Sequence, residues 1–243
     1  RNHVRVGAAI KYWGVDVNRF YDKNSYTLRY NFYGTDIFAS TPPSSNYNLR
    51  VGVRYDHFAV HNLIRNTHSS YEYTDTKNDE SYTTIYTLLQ GDEYNTPYFP
   101  TRGYAYEVAA SYNIRNRSPE GSNFGALQGS ISTVASWGST TALLPALYIR
   151  HLIGESIPLI YSNAMGGYLP HRYLRQQVPF VGFVGSEFME CHLTILRFEL
   201  RQRLWPDIYA SGIINYAYSS DRFTHPTEKQ DIWGLGIQLA YDT

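Results

Sequence analysis

Cysteine is almost missing from this chain. Cys191 stands alone among 243 residues, so no intrachain disulfide can form and a disulfide-stapled scaffold is excluded. Long apolar runs are missing as well. Nothing approaches eighteen consecutive hydrophobic residues, which excludes a helical membrane span. Neither sign of charge is in excess, with 21 basic against 21 acidic side chains, so nucleic acid is not an expected partner. Helix-period segments, heptads, internal repeats and low-complexity linkers are lacking, which leaves one architectural unit over 1–243. The sequence opens without an initiator methionine, in what reads as mid-strand from Val4 to Trp13. It stops at Ala240–Thr243, and the expectation is a processed or partial piece of a longer protein.

What the chain has instead is tyrosine and alternation. There are 24 Tyr in a total of 16% aromatic residues, a composition that suits strands and bilayer interfaces. After Gly103, Tyr104, Tyr106, Val108, Ala110, Tyr112 and Ile114 share one parity, while Ala105, Glu107, Ala109, Ser111, Asn113 and Arg115 share the other. Successive strand side chains point to opposite faces, so one face is apolar and the other wet. The same pattern recurs in Val4–Tyr12, Tyr26–Phe32, Leu49–Tyr55, Thr194–Leu204 and Asp231–Tyr241. It is weaker in Tyr82–Leu89, Ala126–Trp137, Thr141–Leu152 and Tyr209–Tyr218. This predicts an all-β transmembrane antiparallel barrel with about ten strands in this chain. Tyr26, Leu28, Tyr30 and Phe32 are expected on the lipid face, opposite Thr27, Arg29 and Asn31.

Two features separate a membrane barrel from a soluble sandwich. Charges collect on one parity, as a lipid-facing wall requires when each charge near the midplane costs about 2–4 kcal/mol. Connections also alternate in length. Gly138-Ser139-Thr140 and Pro206-Asp207 are tight, whereas Asn62–Ser81, Asn116–Asn123, Gly154–Glu190 and Ser219–Gln230 are long. The exception is Thr35–Asn46, long on the short side.

Catalytic and metal motifs are lacking. Gly129-Ser130-Ile131-Ser132-Thr133 does not make a Gly-x-Ser-x-Gly elbow, and it lies inside a strand pattern. His57 and His61 on one strand would stand about 13 Å apart, too far for one metal. Asp75, Asp79 and Glu80 lack calcium-loop spacing. No cofactor, metal or catalytic residue is expected. The informative polar set is the lumen, where Arg29, Arg50, Arg54, Arg115, Arg197, Arg201 and Arg203 are predicted to point inward with Glu107 and Glu199. Such charges can clamp a loop or hydrate a pore.

Phe99-Pro100-Thr101-Arg102-Gly103 resembles the Phe-Pro-Thr-x-Gly signature of the bacterial surface antigen superfamily, the outer-membrane assembly insertases and two-partner secretion transporters. Further on come Gly166-Gly167-Tyr168, Arg172-Tyr173 and Gln176-Gln177-Val178-Pro179-Phe180. That set looks more like the barrel that ends patatin-like phospholipases. The resemblance covers roughly Tyr82 to Thr243 and implies a full barrel of about sixteen strands in the bacterial outer membrane. It implies that 154–190 is an outer loop folded into the lumen. It also implies that Arg172 pairs there with Glu199, with Asn215 offering a hydrogen bond where the family has a second acid. Tyr173 replaces the glycine that usually follows the arginine. The implied partners are outer-membrane lipid, an attached or upstream hydrolase domain and the outer-membrane assembly machinery. The implied role is to anchor, and also to export, that hydrolase. The alternatives are an insertase or secretion pore, a soluble glycan-binding β-sandwich and a simple diffusion porin.

Overall fold

The computed structural model describes residues 4–21, 24–42, 47–67, 70–74, 78–118, 121–167, 176–183, 186–222 and 226–242. The strands in chain order are β1 Arg5–Tyr21, β2 Asn24–Ser40, β3 Asn48–Thr67, β4 Ser70–Thr74, β5 Asn78–Asp92, β6 Tyr104–Arg117, β7 Phe124–Thr133 and β8 Ala135–Trp137. They continue as β9 Thr141–Ile153, β10 Asn163–Met165, β11 Gln177–Val178, β12 Ser186–Met189, β13 His192–Trp205, β14 Ile208–Ser220 and β15 Lys229–Tyr241. Ten of these are long, and they run in the order β1-β2-β3-β5-β6-β7-β9-β13-β14-β15, every neighbour antiparallel. This is a barrel wall, and its ten strands are the ten that alternation predicts.

The wall is apolar outside and polar inside. On β13, Leu196, Phe198, Leu200 and Leu204 are exposed, while Arg197, Glu199 and Arg201 between them are buried. On β15, Trp233, Leu235, Ile237, Leu239 and Tyr241 are exposed, with Gly234 and Gly236 turned inward. On β3, Leu49, Val51, Val53 and Tyr55 are exposed, and Gly52, Asp56 and Phe58 are buried. A soluble protein would not present such rows to water. Lipid makes them the cheap side.

Strand lengths correct two expectations. β2 continues to Ser40, so 35–40 belongs to the wall and the connection to β3 shrinks to 41–47. Likewise 62–81 is largely strand: β3 runs to Thr67, β4 folds back on it and β5 starts at Asn78. About 9–11 residues suffice to cross a bilayer, so the 17 to 20 residues of β1, β2 and β3 extend past it. The connections 118–123, 154–191 and 221–228 lie at one end of the wall, and 41–47, 93–103, 138–140 and 206–207 lie at the other, where the eleven residues of 93–103 exceed the expected tight turn.

The parity of β2 is also corrected. Tyr30 and Phe32 face inward and are buried, whereas Arg29 lies on the outer face and is exposed. The register fixes this: Phe32 pairs with Phe58 on β3, and both rings enter an interior aromatic cluster. An aromatic stripe reads as lipid-facing only if the interior is lined by polar side chains alone, and here it holds packed rings.

Candidate functional site

Between β9 and β13 the chain leaves the wall and crosses its inner face. Its described residues Ile160, Tyr161, Asn163, Ala164, Met165, Gln176, Gln177, Val178 and Phe180 are all buried. β10 pairs with β11 in parallel and with β12 antiparallel, and β12 pairs with β1 at Arg19 and Phe20. Gly166 and Gly167 have φ of 145° and 70°, a left-handed turn open to glycine. It brings the Gly167 and Phe180 backbones together: the Phe180 N–H donates to the Gly167 carbonyl at 3.0 Å, and the Gly166 N–H to the Val178 carbonyl at 3.0 Å. The two motif pieces, Gly166-Gly167 and Pro179-Phe180, thus lie side by side, tied by backbone hydrogen bonds. Arg172 and Tyr173 lie outside the described residues.

One side of this segment is seated on aromatic rings. Tyr161 meets Phe58, Tyr82 and Phe124 edge-on, at centroid distances of 5.5, 5.2 and 5.1 Å. Beside it the buried Arg150 guanidinium donates to the Tyr161 carbonyl and to Asn163 Oδ1. Asn163 in turn donates to the Glu190 carbonyl. Arg150 was not among the expected lumen charges. The signal was present, since it is the one charge in the apolar strand Thr141–Leu152 and cannot face lipid cheaply.

The other side lies along β14 and β15. A Cβ at Gly234 would strike the Val181 carbonyl, and the Phe180 ring at 2.7 Å. A Cβ at Gly236 would meet Val181 at 3.2 Å. Asn215, with its amide oxygen turned to the loop, accepts the Val181 N–H at 3.1 Å and donates to the Ile214 carbonyl at 3.2 Å. The small residues of β15 therefore make room for a second backbone, a role that alternation alone cannot reveal.

The lumen charges fall into separate groups. Arg197 pairs with Glu199 at 3.2 Å, and Ser211 donates to the same carboxylate at 2.9 Å. Burial of such a pair is tolerated because the partners are two residues apart on one face and share hydrogen bonds. Arg54 pairs with the buried Asp56 at 2.8 Å, and Arg50 lies 4.3 Å over the Phe38 ring. Glu107 accepts from Gln128 at 2.9 Å. Arg115 reaches the Gly121 carbonyl at the loop end of β6 and is exposed there. Arg203 shares the inward parity but holds the Pro206 carbonyl, so it caps the rim turn and does not line the lumen.

Arg201 joins the wall to the turn motif. Its guanidinium donates to the Pro100 carbonyl and lies beside Phe99 and Tyr209. Those two rings stack at 4.0 Å with planes 8° apart. Asn95 holds the turn, its Oδ1 accepting the Thr101 and Arg102 N–H groups at 3.0 and 3.1 Å. Gly103 has φ of 108° and backs onto the Glu93 carbonyl, which no Cβ would allow. Tyr94 donates to Ser132 at 2.8 Å, and burial pushes its phenol above the ordinary range.

Two adjoining cavities remain beside the loop. One, of about 720 Å³, lies among Tyr30, Phe58, Arg54, Asp56, Arg150 and Tyr161. The other, of about 920 Å³, lies toward the turn end among Gly7, Arg50, Gln90, Glu107 and Gln128. Among the described residues no three His, Cys, Asp or Glu side chains converge on a metal position.

The family described as the OMP85 superfamily matches residues 9–243. No curated protein matches the chain. Among solved structures, the crystal structure of BamA from Haemophilus ducreyi lacking POTRA domains 1–3 superposes with a TM-score of 0.72 at 12% identity. The likeness covers 99% of this chain and 53% of that one, so the chain spans about half the length of that structure.

Proposed function

The chain belongs to the OMP85 superfamily, as a bacterial outer-membrane barrel, and on that premise we propose that it anchors an attached soluble domain while its lumen is held shut by the segment 154–190. One observation supports the shut lumen: the same segment rests on the aromatic cluster through Tyr161 and on the glycines of β15 through Phe180 and Val181. In this reading Arg172 brings a second guanidinium to Glu199, beside Arg197, and fixes the loop tip. The likeness of Gly166–Phe180 to patatin-like phospholipase barrels supports a hydrolase as the anchored domain, with its export as a second role. The outer face binds lipid, and the assembly machinery inserts the complete barrel of about sixteen strands.

A second reading, an insertase or secretion pore, is supported by the superfamily itself. The coding region upstream separates the two: a Gly-x-Ser-x-Gly domain identifies the anchor, and repeated small α/β domains identify the insertase or pore. Conductance in planar bilayers tests the closed lumen. The expected result is small current that rises in Arg172→Glu and falls again in the double charge swap with Glu199→Arg. A large steady conductance in the wild type overturns the plug.

A further inference from the structure

The strands β9 and β13 are the two stems of the segment that fills the lumen. The last residues to pair across those stems are His151 and His192. Their Nδ1 atoms are 2.9 Å apart, with ring planes at 53°. Both side chains are half-buried, and they share the outward parity of Ile153 and Leu196. Their neighbours Arg150, Leu152 and Leu193 point inward and are buried. Cys191 packs against the aromatic cluster, so its thiol faces away from the pair. Ser220 on β14 pairs with His192, and the carboxylate of Asp221 next to it acts on His192 electrostatically.

We propose that His151 and His192 chelate a divalent transition-metal ion of square-planar or octahedral preference, Cu(II) or Ni(II), at the root of the loop. A metal–imidazole bond is about 2.0–2.1 Å, so two such bonds at a right angle hold their nitrogens about 2.9 Å apart. That is the separation already present. A tetrahedral ion would need about 3.3 Å, so zinc fits only after the strands or rings part. Without metal, the two rings share one proton, one Nδ1–H donating to the other Nδ1. On binding, the donor ring changes tautomer, its Nδ1 proton being lost to water and Nε2 taking one up, so both imidazoles coordinate through Nδ1 as neutral ligands, no net proton is released, and water fills the other positions. Asp221 offsets the added charge. Binding ties β9 to β13 where the loop leaves the wall and returns to it.

The test is a Cu(II) titration of the full-length protein in detergent micelles, followed by electron paramagnetic resonance. The expected wild-type result is one tightly held Cu(II) per chain with hyperfine structure from two nitrogens, together with a rise in unfolding temperature. His151→Gln and His192→Gln should each weaken binding by at least about 10–100-fold, the loss typical of supporting groups alone. His57→Gln should leave it unchanged. Heat-modifiable migration on gels verifies that each variant is folded. If a variant does not fold, the nitrogen count and the thermal shift of the wild type decide. The proposal is overturned by a wild-type spectrum with one nitrogen or none, by no thermal shift, or by folded His151→Gln and His192→Gln proteins that bind as the wild type does.

Discussion

The loop-end half of the lumen is packed with aromatic rings, whereas the turn-end half is lined mainly by polar side chains. Both halves are built by one alternation rule on the same strands. In the first, Tyr30, Phe32, Phe58, Tyr82 and Phe124 close around Tyr161 of the loop. In the second, Arg50, Glu107 and Gln128 border a cavity of about 920 Å³. Strand periodicity decides which side chains point inward but leaves open whether they meet water or another segment. Rings inside this barrel pack against the loop at one end and against glycines and Arg50 at the other, and buried charges need a partner or water. The charges among the rings have partners: Arg150 has carbonyl and amide acceptors supplied by the loop, and Arg54 meets Asp56.

The contrast can be broken most severely on its aromatic side. Phe124→Ala removes a fully buried ring that touches Tyr82 and Tyr161, and should cost about 3–5 kcal/mol of stability. Urea unfolding in micelles measures this. A cost below 1 kcal/mol would mean that the loop does not depend on the cluster. On the wet side, Arg201→Gln takes the guanidinium from the Pro100 carbonyl and should cost about 1.5–3 kcal/mol, with faster proteolysis of 93–103 as the specific sign. If cleavage there is unchanged, the turn is held by the Phe99–Tyr209 stack alone.

Gly234→Val tests the seam where the loop meets β15. The added side chain must push Val181 and Phe180 from β15, at about 1–3 kcal/mol, and current through the barrel should rise. Unaltered conductance would show that the seam on β15 does not seal the lumen.

The smallest effect is a pH dependence outside the lumen, in 221–228. The Glu228 N–H, and then the Thr227 N–H, hold the Asp221 carboxyl below its ordinary value. A depressed carboxylate contributes fully above its unfolded pKa of 3.8 and loses that contribution as pH falls through the folded value. Protection of the Thr227 and Glu228 amides, taken relative to their intrinsic exchange rates, should therefore be constant near neutral pH and fall in strong acid more than that of neighbouring amides. Equal behaviour of all loop amides would remove Asp221 as the organiser of this turn and make it like the unstructured rims of other barrels.

Much of the wall was legible in the residues. β13 reads directly as alternating Leu or Phe and Arg or Glu, because lipid on one side and a polar interior on the other leave each parity a single solution. Phe99–Gly103 was legible as a motif, but not its attachment to Arg201 and Tyr209, which lie about a hundred residues away and meet it only when the wall curves. Gly234 and Gly236 were legible as inward and small, without a reason. β2 was misread because Tyr30 and Phe32 have the composition of a lipid face.

The sequence by itself determined that ten long strands follow one another and, on all of them but β2, which parity is apolar, since these follow from a period of two and the cost of charge in lipid. Only the tertiary structure decided what fills the interior. Covering Phe58, Tyr82 and Phe124, satisfying Arg150 and spacing His151 from His192 all depend on where 154–191 returns. That is a matter of packing between segments distant in the chain, which no local pattern encodes.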